Sequence, residues 1–144
     1  MRHLARVPLL AAVAASALAL AAAGPTVKDE MKSVVEPTTN VLFAVGGQVD
    51  PGNGPDAAKV GPERWKQAAD AAARLKTVAT ALLAPDQAKP GDEWAKDAKQ
   101  LHDLAEAAEA AATAKDGAKL ADTANALGDS CTACHSKYKP QTAS

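Results

Sequence analysis

The sequence has few aromatic residues, almost no net charge and only two cysteines, and each shortage excludes a class of protein. Of 144 residues, four are aromatic, whereas 37 are alanine. Aromatic and β-branched residues favour strands, and alanine has the highest helix propensity, so we expect an all-α protein. The formal charge of −1 lacks the basic excess of a nucleic-acid-binding protein, and we expect no nucleic-acid partner. A hydrophobic fraction of 47% with balanced charge also argues against disorder.

Residues 1–23 have the layout of a secretory signal peptide. Arg2 and Arg6 give a positive head, an apolar stretch runs from Leu9 to Leu20, and an Ala-x-Ala cleavage site follows. This stretch is shorter than the roughly 20 residues that a membrane-spanning anchor needs. We therefore expect cleavage, export to the bacterial periplasm, and a mature domain of residues 24–144 that does not span the membrane.

Four segments of the mature chain have apolar residues at the spacing of a helix. The first is expected from about Thr26 to Val45, with a kink at Pro37. A Gly/Pro-rich run, Gly46 to Gly61, is expected to be a long loop. The second helix is expected from Pro62 to before Pro85.

The third helix is expected to open at Asp92, and the fourth to follow Gly117. The predicted buried faces are Val27, Met31, Val34 or Val35, Thr38, Leu42 and Val45; Trp65, Ala69, Ala72, Val78 or Ala79 and Leu82; Trp94, Ala98, Leu101, Ala105, Ala108 and Ala112; and Leu120, Ala124, Leu127, Cys131, Cys134 and Tyr138. Helices joined in series favour an antiparallel four-helix bundle. The start of the first helix and the end of the fourth would then share one end of it.

Both cysteines lie in one run, Cys131-Thr132-Ala133-Cys134-His135, which is the C-x-x-C-H attachment motif of c-type haem. Helical residues three apart share a face, so both thiols can reach the vinyl groups at one porphyrin edge, and His135 is placed to bind the iron. A thioredoxin-like pair would need a βαβ context, and a zinc site would need about four ligands. A disulfide over so short a loop would stabilise little. We therefore expect one covalently attached haem c, near the C-terminal end of the fourth helix.

With its signal peptide, four helices and a C-terminal C-x-x-C-H followed by Tyr138 and Lys139, the chain resembles the class II c-type cytochromes. These are the cytochrome c′ family and its low-spin, six-coordinate relatives. The resemblance implies that the haem lies inside the bundle, that His135 is the proximal iron ligand, and that Lys139 lies near it. It also implies that the other haem face meets the first helix, and it makes a homodimer through the first two helices an expectation.

Met31 is the only methionine after residue 23, and it lies near the start of the first helix. It is either the distal iron ligand, as in the low-spin relatives, or a core side chain over an open distal site, where Val34 is the other candidate. His102 is a less favoured ligand, expected at a solvated rim. Trp94 is expected either at the haem edge or in the ordinary core.

Two functions follow from these alternatives. With Met31 as ligand, we expect a periplasmic electron carrier, not an enzyme, whose partners are soluble or membrane-bound redox proteins. The lysines at the predicted haem end, Lys28, Lys32, Lys137 and Lys139, would form a positive rim for an acidic partner. Alternatively, Lys137 and Lys139 would complement the dipole of the fourth helix. With an open distal site, we expect a five-coordinate protein that binds nitric oxide or carbon monoxide.

Overall fold

The computed structural model describes residues 24–54 and 59–139, and all regular structure in these ranges is helical. The expected signal peptide, residues 1–23, lies outside the described residues. A first long helix consists of α1 (Val27–Glu30), a π-helical segment (Met31–Val35) and α2 (Glu36–Val49). After a short 3₁₀ turn (Pro51–Asn53) come α3 (Pro62–Ala81), α4 (Asp92–Ala114) and α5 (Gly117–Tyr138). The predicted all-α class and the four helices are therefore confirmed.

The first helix begins at the predicted residue. Thr26 and Asp29 form a capping box, in which the Asp29 N–H donates to Thr26 Oγ1 at 3.2 Å and the Thr26 N–H donates to Asp29 Oδ2 at 3.1 Å. These bonds satisfy two donors that a helix start leaves unpaired. The predicted end at Val45 is wrong, because α2 continues through two glycines to Val49.

The structure has a π-helical segment just before Pro37, where the sequence predicts a kink. Pro37 stands in the first turn of α2, directly after the π-helical segment, where the Glu36 N–H donates to the Met31 carbonyl five residues earlier. Proline has no N–H and its ring clashes with the preceding turn of an α-helix. The wider π turn before Pro37 is one way in which a helix accommodates such a disruption.

The predicted starts of α3 and α4 are confirmed. Pro62 is the first residue of α3, and Asp92 and Glu93 form the first turn of α4. The buried Trp94 indole N–H donates to the Leu82 carbonyl at 2.7 Å. This bond joins the first turn of α4 to the residue that caps α3.

Each of the four long helices packs against two of the others: α3 against α4, α4 against α5, α5 against α2, and α2 against α3. The predicted face of α4 is buried at every position. On α5, Leu120, Ala124 and Leu127 are buried, whereas Cys131, Cys134 and Tyr138 are half-buried. The core is therefore rich in alanine, and the buried face of α5 becomes more accessible to solvent towards the C-terminal end of the helix.

Within residues 24–54 and 59–139, no helix combines the length and hydropathy required to cross a membrane.

Candidate functional site

The Cys-Thr-Ala-Cys-His run lies in the last two turns of α5. Because this segment is α-helical, Cys131 and Cys134 lie on the same side of the helix. Both are half-buried free thiols, and His135 beside them is exposed. The motif is thus presented on a regular helix, as its spacing predicts.

These residues line a cleft of about 40 Å³ between the first helix, α4 and α5. Its walls are apolar for the most part. The lining residues are Met31, Val35, Leu82, Trp94, Asp97, Ala98, Leu101, Ser130, Cys131, Cys134 and His135. All four residues predicted from the sequence to hold haem and iron therefore line one cleft.

Met31 reaches this cleft from the first residue of the π-helical segment. Its side chain is half-buried, and the buried Val35 lines the cleft beside it. Val34, which the sequence offered as the other residue over the distal site, is half-buried but is not part of the lining. The apolar residue next to Met31 in the cleft is therefore Val35.

The environment of the two thiols keeps them protonated at neutral pH. Burial raises the pKa of the Cys131 thiol. Burial also raises the pKa of the Cys134 thiol, and the negative charge of Asp97 raises it further. Catalytic and redox-active cysteines have the opposite shift, because their reaction requires a thiolate. This pair therefore lacks the electrostatics of a thioredoxin-like site.

A small ion cluster lies at the edge of the cleft. The Lys137 ammonium is 3.1 Å from both carboxylate oxygens of Asp97 and 3.3 Å from Glu93 Oε2. The hydrogen bond to Asp97, assisted by Glu93, raises the pKa of Lys137. The positive rim stays a prediction: two carboxylates of α4 pair with Lys137, while Lys28, Lys32 and Lys139 are exposed.

The two tryptophans lie in different places relative to the cleft. Trp94 is buried and lines the cleft, and its ring meets that of Tyr138 edge to face, with the centroids 5.0 Å apart. Trp65 belongs to the core and is not part of the cleft lining. His102 lies outside the cleft, with 31% of its side chain exposed and Nδ1 3.4 Å from Asp103 Oδ1.

Six lining residues are not predicted as site residues by the sequence: Val35, Leu82, Asp97, Ala98, Leu101 and Ser130. Four of them, all but Asp97 and Ser130, are predicted only as core. Asp97 reads as an ordinary surface acid between Lys96 and Ala98, and no signal in a single sequence separates it from the other acids of α4. Among the residues that the structure describes, no group of three His, Cys, Asp or Glu side chains could hold a metal ion by itself.

Comparison with protein-family models, with curated proteins and with solved structures finds no match to this chain.

Proposed function

We propose that this chain is a c-type cytochrome, similar to the class II cytochromes, that carries single electrons through one covalently attached haem c. The observation that carries the proposal is the cleft shared by Cys131, Cys134, His135 and Met31. Three of these residues are neighbours in the sequence. Met31 is about 100 residues away in the sequence, and a methionine is the ligand that would complete a His/Met iron site.

We also infer that the four helices form an antiparallel bundle. Trp94 at the start of α4 contacts the residue that ends α3. Val49 at the end of α2 lies against Gly117 at the start of α5. Lys137 at the end of α5 contacts the first turns of α4. In each case the end of one helix meets the start of its neighbour, which supports this topology.

The donor set fits a c-type haem. Two protonated thiols on one helix face can each add to a vinyl group, and a histidine follows directly in the chain. The volume of about 40 Å³ is smaller than the roughly 300–1,000 Å³ of typical cofactor pockets. We therefore expect the first helix and α5 to move apart as the haem is attached.

In this proposal Cys131 and Cys134 hold the haem through thioethers, His135 binds the iron as proximal ligand, and Met31 binds it from the distal side. When bound, haem c supplies an iron that accepts or releases one electron. The apolar side chains of Leu82 and Leu101 line the cleft and would shield part of the bound haem from water. Two fixed protein ligands would also leave little to rearrange when the iron changes charge.

A second candidate function rests on Val35. This buried apolar side chain lines the cleft one helical turn after Met31. If Met31 stays in the core, Val35 would be the residue that faces an open distal site. The protein would then be five-coordinate, like a cytochrome c′, and would bind nitric oxide or carbon monoxide.

The export signal agrees with this chemistry, and the periplasm is the compartment that we propose. Covalent haem attachment in bacteria takes place outside the cytoplasmic membrane, and residues 1–23 have the composition that directs a chain there. Soluble or membrane-bound redox proteins would be the partners. A homodimer is expected from the family resemblance.

The first experiment is expression with its leader in a bacterial host that attaches c-type haem, followed by mass spectrometry and oxidised and reduced optical spectra. We expect a mass increase of one haem that survives denaturation, and its loss in the Cys131→Ala/Cys134→Ala double variant. A wild-type chain that leaves the same host without covalent haem would refute the proposal. It would return a thiol or metal role to the two cysteines.

The spin state then separates the two functions. Low-spin spectra with a sulfur-to-iron charge-transfer band, lost in Met31→Ala and retained in the control Val34→Ala, would support Met31 ligation and electron transfer. A wild-type spectrum that is high-spin and shifts with nitric oxide or carbon monoxide would instead support the gas-binding function. An unchanged spin state in Met31→Ala would exclude Met31 as ligand.

A further inference from the structure

The strongest feature that the proposed function leaves unused is the ion cluster at the edge of the cleft, formed by Asp97, Lys137 and Glu93. Asp97 is the only carboxylate among the lining residues, and only 11% of its side chain is exposed. Its two oxygens are equally distant, at 3.1 Å, from the ammonium of Lys137. Glu93, one turn earlier on α4, contacts the same ammonium at 3.3 Å but is 57% exposed.

This cluster joins two elements that matter for the site. Lys137 follows His135 by two residues in the last turn of α5, whereas Asp97 and Glu93 belong to the first turns of α4. The end of a helix frays unless something holds it. The bond from Lys137 to the nearly buried Asp97 therefore fixes the turn that carries Cys134 and His135 against α4.

The cluster also has an electrical consequence inside the cleft. Lys137 is 39% exposed, so water screens its charge more than it screens that of Asp97. Asp97 also lines the cleft together with Cys134 and His135, whereas Lys137 is not among the lining residues. Asp97 is therefore the member of the ion pair whose charge acts more strongly inside the cleft.

We infer that Asp97 is a positioning residue that holds the haem-bearing turn of α5 through Lys137, and that its charge lowers the reduction potential of the bound haem. This inference rests on the proposed function. A negative charge near the iron favours the oxidised state, which carries one more positive charge, over the reduced state. Lys137 has the opposite effect on the potential, although it is the other half of the same ion pair.

The opposite signs give a sharp test by redox titration of the haem-loaded protein at about pH 7. In Asp97→Asn we expect the midpoint potential to rise, so that the ratio of oxidised to reduced protein at a fixed applied potential falls roughly threefold to tenfold. In Lys137→Gln we expect the potential to fall. Lys96→Gln is the matched control, because Lys96 lies outside this cluster, is 69% exposed and contacts Glu93. This variant should leave the midpoint potential of the haem unchanged.

A purely structural role would not give this pattern, because both variants break the same ion pair and would loosen the same turn. Shifts in the same direction, or no shift in either variant, would overturn the inference while covalent haem in the wild type upholds the proposed function. Failure of the wild type to attach haem would overturn both. The positioning part is tested in the same holoproteins by a double-mutant cycle in urea, in which Asp97→Asn and Lys137→Gln should be non-additive; additive effects would overturn it.

Discussion

Replacing Gly46 by alanine should destabilise the protein, whereas the same change at the adjacent Gly47 should stabilise it. Both residues belong to the last turns of α2. A Cβ added at Gly47 would meet no heavy atom within 4 Å, but a Cβ at Gly46 would lie 2.8 Å from the Ala124 Cβ on α5. Two carbon atoms normally approach to about 3.5–4.0 Å, so α2 and α5 would have to separate at Gly46.

The magnitudes follow from two opposing terms. Glycine in a helix costs about 0.5–1 kcal/mol relative to alanine, and both variants recover this amount. At Gly46 the overpacked contact costs about 1–3 kcal/mol, and the Ala124 methyl group is attached directly to the backbone and cannot rotate away. We expect Gly47→Ala to gain up to about 1 kcal/mol and Gly46→Ala to lose up to about 2 kcal/mol.

The assay is urea unfolding of the mature protein followed by far-ultraviolet circular dichroism. Gly128→Ala on α5 is a second control, because its added Cβ would also meet nothing within 4 Å. Adding Ala124→Gly to Gly46→Ala should relieve the contact and show non-additivity in a double-mutant cycle. Equal stabilisation by Gly46→Ala and Gly47→Ala would refute the close approach of α2 to α5.

Three further predictions concern other parts of the structure. Trp94→Phe should lower the free energy of unfolding by about 1–3 kcal/mol, because it leaves the buried carbonyl at the end of α3 without a donor; urea unfolding with no measurable loss would contradict this. Hydrogen bonds from Lys96 and Lys137 lower the pKa of Glu93 from its ordinary 4.5, so its stabilisation is present above that pH and is lost as the pH falls through the lower folded-state value. Thermal unfolding midpoints at several pH values should show that Glu93→Gln removes part of the acid dependence, and identical curves would argue against it. If the expected homodimer uses the first helix, Phe43→Glu, at an exposed apolar position of α2, should give monomers in sedimentation; an unchanged dimer would assign the interface to another face.

The helix starts could be predicted from the sequence because local chemistry determines them. Thr26 caps α1, Pro62 begins α3 and Asp92 opens α4, and each acts within its own first turn. The end of α2 could not be predicted in this way. Gly46 and Gly47 have low helix propensity, yet the helix continues through both. At Gly46 the glycine lets α2 pack closely on α5, because a Cβ there would collide with Ala124. Tertiary contact overrides propensity there.

The residues of the candidate site also fall into two groups: those that local spacing predicts and those that only tertiary contacts reveal. That Cys131, Cys134 and His135 lie together could be predicted, because their spacing within one helix brings them to the same cleft. The position of Met31 followed from the expected topology, since the start of the first helix and the end of the fourth were assigned to one end. The place of Asp97 at the edge of the cleft could not be predicted. It depends on packing of α4 against α5, where Asp97 contacts Lys137, a residue 40 positions later in the chain.

The π-helical segment Met31–Val35 is a local feature of the first helix that affects which of its side chains line the cleft. A π turn contains one residue more than an α turn, and one residue corresponds to about 100° of rotation around an α-helix. Residues before Met31 are therefore offset by about that angle from the face that an uninterrupted α-helix would bury, and the periodicity alone does not decide between Val34 and Val35. The structure buries Val35 and lines the cleft with Val35 and Met31 together. Because Met31 and Val35 both belong to the π-helical segment that precedes Pro37, this segment positions the side chains of the first helix that line the cleft together with His135.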